Sequence, residues 1–258
     1  MASNTNVLIT GANRGLGLGL LKIYLSRPNH TVIAAVRNPS DSSSQNLKTL
    51  PTGKGSTLLV VKIDSASDTD PADAVATLKA VGITHLDIVI ANAGIANIYA
   101  RVEAIDLTKL RHMLEVNTLG PLKLYEAVYP LLKAASEKRG GSPPPQFIGI
   151  SSTVGTTADA EQTNDYQIAT YGVSKAALNH LVRRAMLENE WLNAYVVHPG
   201  FVQTDMGNIG AGLLGIEKAS LTIEESVAGI VKIFDNVTRE KIAGKDGYYQ
   251  WDGTKLVY

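Results

Sequence analysis

The sequence predicts one α/β domain, a doubly wound and mainly parallel sheet of seven strands, and three observations carry that prediction. Short runs rich in β-branched residues recur along the 258 residues, each apolar nearly throughout. Longer stretches with helix start and stop signals separate them. The first run leads straight into a glycine-rich turn, Thr10-Gly11-Ala12-Asn13-Arg14-Gly15-Leu16-Gly17. Strands buried on both faces of a parallel sheet read as continuous apolar runs. Strand–helix alternation with right-handed crossovers then puts helices on both faces.

The strand candidates are Val7–Thr10, Thr31–Val36, Thr57–Ile63, Leu86–Ala91, Gln146–Ser151 and Ala194–Val197. A last strand and an Asp252-Gly253 turn fall within Gly247–Tyr258. Asp70-Pro71 opens a helix, read with Asp70 as N-cap and Pro71 at the first helical position. Thr222-Ile223-Glu224-Glu225 is a capping box that starts a helix running to about Phe234. Two segments break the alternation. Arg139–Pro145, with two glycines and three consecutive prolines, is expected to be a surface loop. Met206–Leu221, rich in glycine and apolar residues, reads as a flap over a pocket or as a loop packed on the sheet edge. The flap is favoured, because loops at the carboxyl ends of parallel strands usually carry the site.

Composition narrows the function classes. Lys plus Arg and Asp plus Glu number 24 each, so nothing electrostatic favours a nucleic-acid or anionic-membrane partner. The absence of cysteine excludes disulfides, thiolate metal sites and cysteine nucleophiles. His85, His112 and His198 stand singly and form no metal set. Glu188 and Glu190 read as solvated. No run approaches the ~18 apolar residues of a membrane span. Met1–Asn6 lacks the pattern of a signal peptide. A soluble cytoplasmic protein with one substantial core, spanning residues 1–258, is the expectation.

The glycine turn carries the first chemical signal. Glycines let the backbone approach a pyrophosphate, whose charge is met by the amides of a helix N-terminus. Such turns also serve purely structural ends, but the place after the first strand of an alternating chain favours dinucleotide binding. The next strand ends at Arg37, twenty positions beyond Gly17, where an acid would accept the ribose hydroxyls of NAD. An arginine there suits a phosphate instead, and Arg14 stands ready to approach it from the glycine turn. Against the reading of two solvated surface arginines, this pair favours NADPH. Tyr171 and Lys175 lie one helical turn apart on one face. The ammonium favours phenolate and lowers a pKa that is ordinarily near 10. Chance places many such pairs on helices. Ser151-Ser152 closes an apolar strand twenty residues upstream, where a hydroxyl either holds a substrate carbonyl or merely shapes a turn.

With Asp64 after the third strand, Asn92-Ala93-Gly94 after the fourth, Asn117, and Pro199-Gly200 through Thr204, these motifs resemble the classical short-chain dehydrogenase/reductase family over essentially the whole chain. Ala169–Lys175, Val202–Gly207 and Thr84–Asp87 are similar to the fungal norsolorinic acid ketoreductase-like carbonyl reductases. The resemblance implies a Rossmann-type domain with Ser152 polarising the carbonyl and Tyr171 delivering the proton. Lys175 would tune Tyr171 and bind the nicotinamide ribose. Asn117 would distort its helix and keep a water between Lys175 and solvent. Gly11, Asn13, Arg14, Leu16 and Gly17 would line the pyrophosphate, with Arg37 and Asn38 at the ribose phosphate and Asp64 at the adenine. Asn92, Ala93 and Gly94 would lie along the adenosine ribose, and Pro199, Gly200, Val202, Thr204 and Met206 would close on the nicotinamide. Ala91 stands where the family usually has a first asparagine, and the proline-rich insert is unusual.

The expected activity is NADPH-dependent reduction of a ketone or aldehyde, hydrophobic or aromatic and polyketide-like, framed by Ser152, Thr153, Tyr171, Phe201 and the flap. A non-catalytic NADPH-sensing regulator on the same fold is the alternative, although it would be expected to lose Tyr171 or Lys175. A sugar-nucleotide epimerase calls for other glycine spacing and a larger substrate domain. The expected partners are a small carbonyl compound and a second or further copy of the chain, as homodimer or homotetramer. Pairing would run through helices over Asp106–Ala134 and Tyr171–Glu188. Leu107, Leu110, Leu114 and Leu119 serve that pairing or else face the sheet.

Overall fold

The computed structural model describes residues 4–96, 100–158, 160–161, 167–243 and 247–258. Seven strands arise where the apolar runs lie: β1 (Thr5–Thr10), β2 (His30–Val36), β3 (Thr57–Lys62), β4 (Ile88–Ala91), β5 (Gln146–Ile150), β6 (Asn193–His198) and β7 (Tyr248–Gln250). They form one sheet in the order β3-β2-β1-β4-β5-β6-β7, with every pairing parallel. β1 and β2 are almost wholly buried. β3 is not: Leu58, Leu59 and Val60 are half-buried, because β3 is an edge strand with a neighbour on one side alone.

Helices α1 (Gly15–Ser26), α2 (Ser42–Gln45), α3 (Asp70–Ala80), α4 (Leu107–Leu114), α5 (Gly120–Lys138), α6 (Ala169–Glu188), α7 (Asp205–Leu213), α8 (Ile223–Asn236) and α9 (Arg239–Ile242) connect the strands. The chain steps outward from β1 through β2 to β3, then returns to the other side of β1 with β4. The connections leaving β1 and β4 therefore part in opposite directions. Such a switch point leaves a crevice at the carboxyl ends of the strands. The Thr222 capping box is present, with its hydroxyl accepting from Glu225 N–H and the Glu225 carboxylate accepting from Thr222 N–H.

Two expectations change. Thr69, not Asp70, occupies the N-cap of α3, and its side chain makes no cap bond. The Asp70 carboxylate is drawn away to the Asp64 N–H at 2.9 Å and Lys62 Nζ at 3.2 Å, fastening α3 to the end of β3. Met206–Leu221 is not a plain loop, since α7 occupies its first half. Its ends are pinned where Val202 pairs with Leu221. Arg139–Pro145 is a turn as expected, but Arg139 sends its Nε inward to Asp87 Oδ1 at 2.7 Å. Of the four leucines, Leu107 and Leu119 are exposed and Leu110 and Leu114 half-buried.

Asp87 is buried at the amino edge of the sheet. Its other oxygen accepts from Asn6 N–H at 2.7 Å, and His85 Nε2 lies 3.8 Å away. Removing one partner of a buried ion pair leaves an uncompensated charge and costs about 3 kcal/mol. Arg139→Met is therefore expected to lower unfolding free energy by about that amount in a urea titration, while Asp87→Leu combined with Arg139→Met recovers most of it. Turnover per folded molecule should stay unchanged, because the pair lies at the edge opposite the crevice.

Candidate active site

The glycine turn after β1 is shaped by positive φ at Gly11 (64°) and Gly15 (54°). A Cβ on Gly17 would meet Gly11 O at 2.2 Å and Asn92 Nδ2 at 2.6 Å, so no side chain fits there. The first turn of α1 carries no acid, and its N-cap Arg14 makes no side-chain cap bond. The amides of that helix start therefore have no side-chain acceptor at the cap, as an anion site requires. Asn92 is tied inward: its Nδ2 donates to Thr10 O at 2.8 Å, and the Thr10 hydroxyl accepts from the N–H of Asn92 and of Ala93 at 3.0 Å each. The residues that close β4 thus brace the glycine turn.

Asn13 is likewise engaged, donating to Ser43 Oγ at 2.7 Å, which in turn donates to Asp41 Oδ1. This chain docks α2 on the glycine turn. Arg37 and Asn38 are exposed at the end of β2. Arg14 is exposed too, 3.9 Å from Asp205 at the start of α7. Asp64 is half-buried after β3 and accepts from Ala66 N–H. Leu16 is half-buried in α1. These residues stand on one side of the crevice, apart from the tyrosine.

On the other side, α6 brings Tyr171 and Lys175 together, with Nζ 5.6 Å from the phenol ring centroid. Lys175 is 4% exposed, and its Nζ donates to Ile150 O at the end of β5 at 2.8 Å. Burial pushes its pKa down to about 8. Asn117 lies in a π turn, Glu115–Leu119, between α4 and α5. Such a turn marks a locally widened helix, often at functional sites. The Asn117 amide bridges three groups: Oδ1 accepts from Ile95 N–H, while Nδ2 donates to Ile95 O and to Ser174 Oγ. Ser174 Oγ then donates to Tyr171 O at 2.8 Å. A Cβ on Gly94 would lie 3.2 Å from Asn117 Oδ1 and 3.6 Å from Lys175 Nζ, so Gly94 keeps this corner open.

Ser151 and Ser152 part ways. Ser151 is buried and donates to Asn179 Oδ1. Ser152 is half-buried and heads a 3₁₀ turn, Thr153–Gly155, packed on α6. After β6, Pro199 O accepts from Ser226 Oγ at 2.6 Å, and Gly200 packs on Leu221 and Trp251. Val202 is buried. Thr204 caps α7 through Gly207 N–H, and its methyl group is the nearest neighbour of Gly15. Met206 is exposed on α7. The loops after β1 and β6 thus meet across the crevice mouth. Among the described residues no three His, Asp or Glu side chains gather as a metal set.

Ser174, Thr118 and the Ile150 carbonyl had no assigned role in the sequence reading. Thr118 Oγ1 donates to Ser174 O at 2.9 Å, so the π turn grips α6 through both residues. No local pattern in the sequence marks Ser174, whose partner Asn117 lies 57 residues upstream.

The folded pKa of Lys175, about 8, lies below its ordinary 10.5. Between those values the unfolded chain holds a proton that the folded chain has released, so this group's contribution to stability rises with pH across the window. Denaturant midpoints of wild type minus Lys175→Met should accordingly increase from about pH 7.5 to about 9.5. Parallel profiles would mean that Lys175 is not desolvated.

The chain is similar to proteins of known kind. The family model for short chain dehydrogenase matches residues 5–210. The norsolorinic acid ketoreductase of Dothistroma septosporum is 40% identical over 256 residues, spanning 99% of this chain and 93% of that one. The norsolorinic acid ketoreductase of Emericella nidulans is 42% identical over 93% of this chain and 89% of its own. Among solved structures, the NADPH-bound carbonyl reductase from chicken fatty liver superposes with a TM-score of 0.86 at 30% identity, covering 100% of this chain and 96% of that chain. A parallel Rossmann-type sheet, a glycine turn at its switch point and a buried lysine beside a tyrosine all agree with these matches: the chain is an oxidoreductase and belongs to the short-chain dehydrogenase family.

Proposed function

We propose that this enzyme reduces a ketone or aldehyde to an alcohol with NADPH, and that Tyr171 donates the proton. The observation that carries the reading is the buried Lys175 ammonium beside the Tyr171 ring at the carboxyl edge of β5. A cation there favours phenolate, so Tyr171 releases its proton at neutral pH more readily than an isolated phenol. The tight glycine turn, the uncapped start of α1 and the open corner at Gly94 fit a nicotinamide dinucleotide. Gly11, Asn13, Arg14, Leu16 and Gly17 would hold its pyrophosphate end. Asp64, Asn92, Ala93 and Gly94 would flank the adenosine, and Pro199, Gly200, Val202, Thr204 and Met206 the nicotinamide end. When bound, the cofactor supplies a hydride, the electron pair of the reduction.

The residues do the rest. The Ser152 hydroxyl hydrogen-bonds the substrate carbonyl oxygen and holds it at the phenol. Tyr171 transfers its proton to that oxygen as the alkoxide forms. Lys175 holds the resulting phenolate and binds ribose hydroxyls. Asn117 keeps Lys175 and the Ile95 backbone in register and supports a water path for reprotonation. The sensor alternative gains no support, since Ser152, Tyr171 and Lys175 are all retained.

Arg37 and Arg14 support NADPH over NADH. Among the described residues neither has an acid at hydrogen-bonding distance, and Arg14 lies 3.9 Å from Asp205. Exposed Met206, Ile209 and Leu213 on α7 support its role as a cover over a hydrophobic, aromatic or polyketide-like substrate. Exposed Leu107, Leu119 and Val173 support a homodimer or homotetramer. No helix among the described residues is long and apolar enough to cross a membrane, which agrees with a cytoplasmic site of action.

Two measurements test the reading. NADPH should be preferred over NADH by at least about tenfold in kcat/KM, one charge-assisted phosphate contact being worth ~1.5 kcal/mol. Arg37→Asp should reverse the trend, and equal use of both cofactors by the unaltered enzyme would defeat it. Tyr171→Phe should cut turnover on an aromatic ketone by about 10²–10⁴-fold while NADPH affinity by fluorescence stays near wild type. Retention of more than about a tenth of the turnover would overturn the acid assignment.

A further inference from the structure

The turn that carries Ser152 is held from two sides. On one side Gly155 presses against α6, where an added Cβ would meet Lys175 Cβ and the Ala176 amide at 2.8 Å. On the other stands Thr156, which is 3% exposed. Its N–H closes the turn on Thr153 O at 2.9 Å. Its hydroxyl reaches 101 residues along the chain to donate to Val257 O at 3.0 Å.

Val257 belongs to a segment, Lys255–Tyr258, that folds back along β7. Lys255 pairs antiparallel with Tyr249, and Leu256 N–H bonds to Tyr248 O at 2.8 Å. The ring of Tyr258 lies 5.5 Å from that of Tyr248 and 5.9 Å from the Arg183 guanidinium of α6. Tyr248 is wholly buried behind the turn, its phenol close to the hydroxyls of Thr156 and Ser151. The segment is therefore anchored to both β7 and α6, and it can pass that rigidity to whatever bonds to it.

The 3₁₀ turn has three residues and no side-chain cap. Its glycine contact with α6 limits how close it comes, not how far it drifts. Ser151, held by Val197 O and Asn179, fixes the start of the turn, and the bond from Thr156 to Val257 fixes its far end. We propose that Thr156 is a positioning residue for Ser152, and that the segment Lys255–Tyr258 is the strap through which it acts. The strap holds the Ser152 hydroxyl against the carbonyl oxygen that Tyr171 protonates. This rests on the reading of Ser152 as the carbonyl-holding group.

A misplacement on the order of 1 Å at a reacting group costs up to about 10²-fold in rate. Thr156→Val keeps the side-chain volume and deletes the donor. It should lower kcat on an aromatic ketone about tenfold while NADPH affinity stays within about twofold. Thr156→Ser, which keeps the hydroxyl, should restore kcat to within about twofold. Deleting residues 257 and 258 removes the acceptor together with the Tyr258 anchor and should cost at least as much as Thr156→Val. Adding Thr156→Val to the deletion should cost less than about twofold more, because the deletion has already removed its acceptor. Losses that multiply would overturn the strap, as would an unchanged kcat in Thr156→Val beside a crippled Ser152→Ala. If the deletion does not fold, the contrast between the valine and serine variants decides alone. Wild-type turnover in Ser152→Ala would instead overturn the assignment of Ser152, and the strap's purpose with it.

Discussion

An ammonium moved out of water is stable only if the protein supplies what water did, and Lys175 is such a group. Among the described residues its hydrogen-bond acceptor is the Ile150 carbonyl, at the end of the strand that leads to Ser152. Placing Nζ there requires α6 to cross close to the end of β5, which in turn needs Gly155 where any side chain would strike the helix. It also requires the neighbouring backbone to be rigid. The Asn117 amide provides that by satisfying Ile95 on both sides and gripping Ser174 in the turn before Lys175. Desolvation still pulls the lysine pKa down to about 8. The free enzyme thus holds its cation under tension, and an anionic neighbour such as a phenolate relieves it. The site is organised around this buried charge.

The fold was legible because its signal is redundant. Each buried strand is marked twice, by its own apolar run and by the helix pattern that follows, and six runs match six strands to within about two residues. β3 reads like the others yet is half-exposed, since nothing in Thr57–Lys62 says that it has one neighbour rather than two. Neighbour count depends on strand order, a non-local property. The error at Asp70 has a similar origin. Asp before Pro is a good local cap signal, but the carboxylate found the Asp64 amide and Lys62 at the end of β3. In Met206–Leu221 the glycines hid a helix. Three of them fall inside or at the end of α7, where capping by Thr204 and pinned ends outweigh their poor helix propensity.

The site was legible as a set of positions and much less as a set of bonds. Tyr171, Lys175, Asn117 and Gly94 do converge, and their motifs say so. What the motifs hide is that two residues expected at the cofactor, Asn13 and Asn92, use their amides to brace the loop itself. Side-chain partners of this kind lie 30 to 82 positions away in sequence. No local pattern encodes them. The role of Ser174 was invisible for the same reason: its partners sit in a π turn 57 residues upstream.

Charge burial at one edge of the sheet has a counterpart at the other. At the amino edge, Asp87 is fully engaged by Asn6, Arg139 and the nearby His85, an arrangement in which each charge has its complement. At the carboxyl edge, Lys175 is buried with the neutral Ile150 carbonyl as acceptor and the Tyr171 ring beside it. The first kind of burial specifies how β1, β4 and α5 meet and is silent in the chemistry. The second weakens the fold locally, and the surrounding hydrogen bonds of Asn117, Thr118 and Ser174 offset it. Substitutions at the two edges should therefore separate: those at Asp87 and Arg139 register in unfolding, those near Lys175 in catalysis and its pH dependence. A parallel sheet allows this because its strand ends are chemically distinct, with amides gathered at one edge and carbonyls, turns and helix starts at the other. Only the second edge offers both an acceptor for a buried cation and an open crevice beside it.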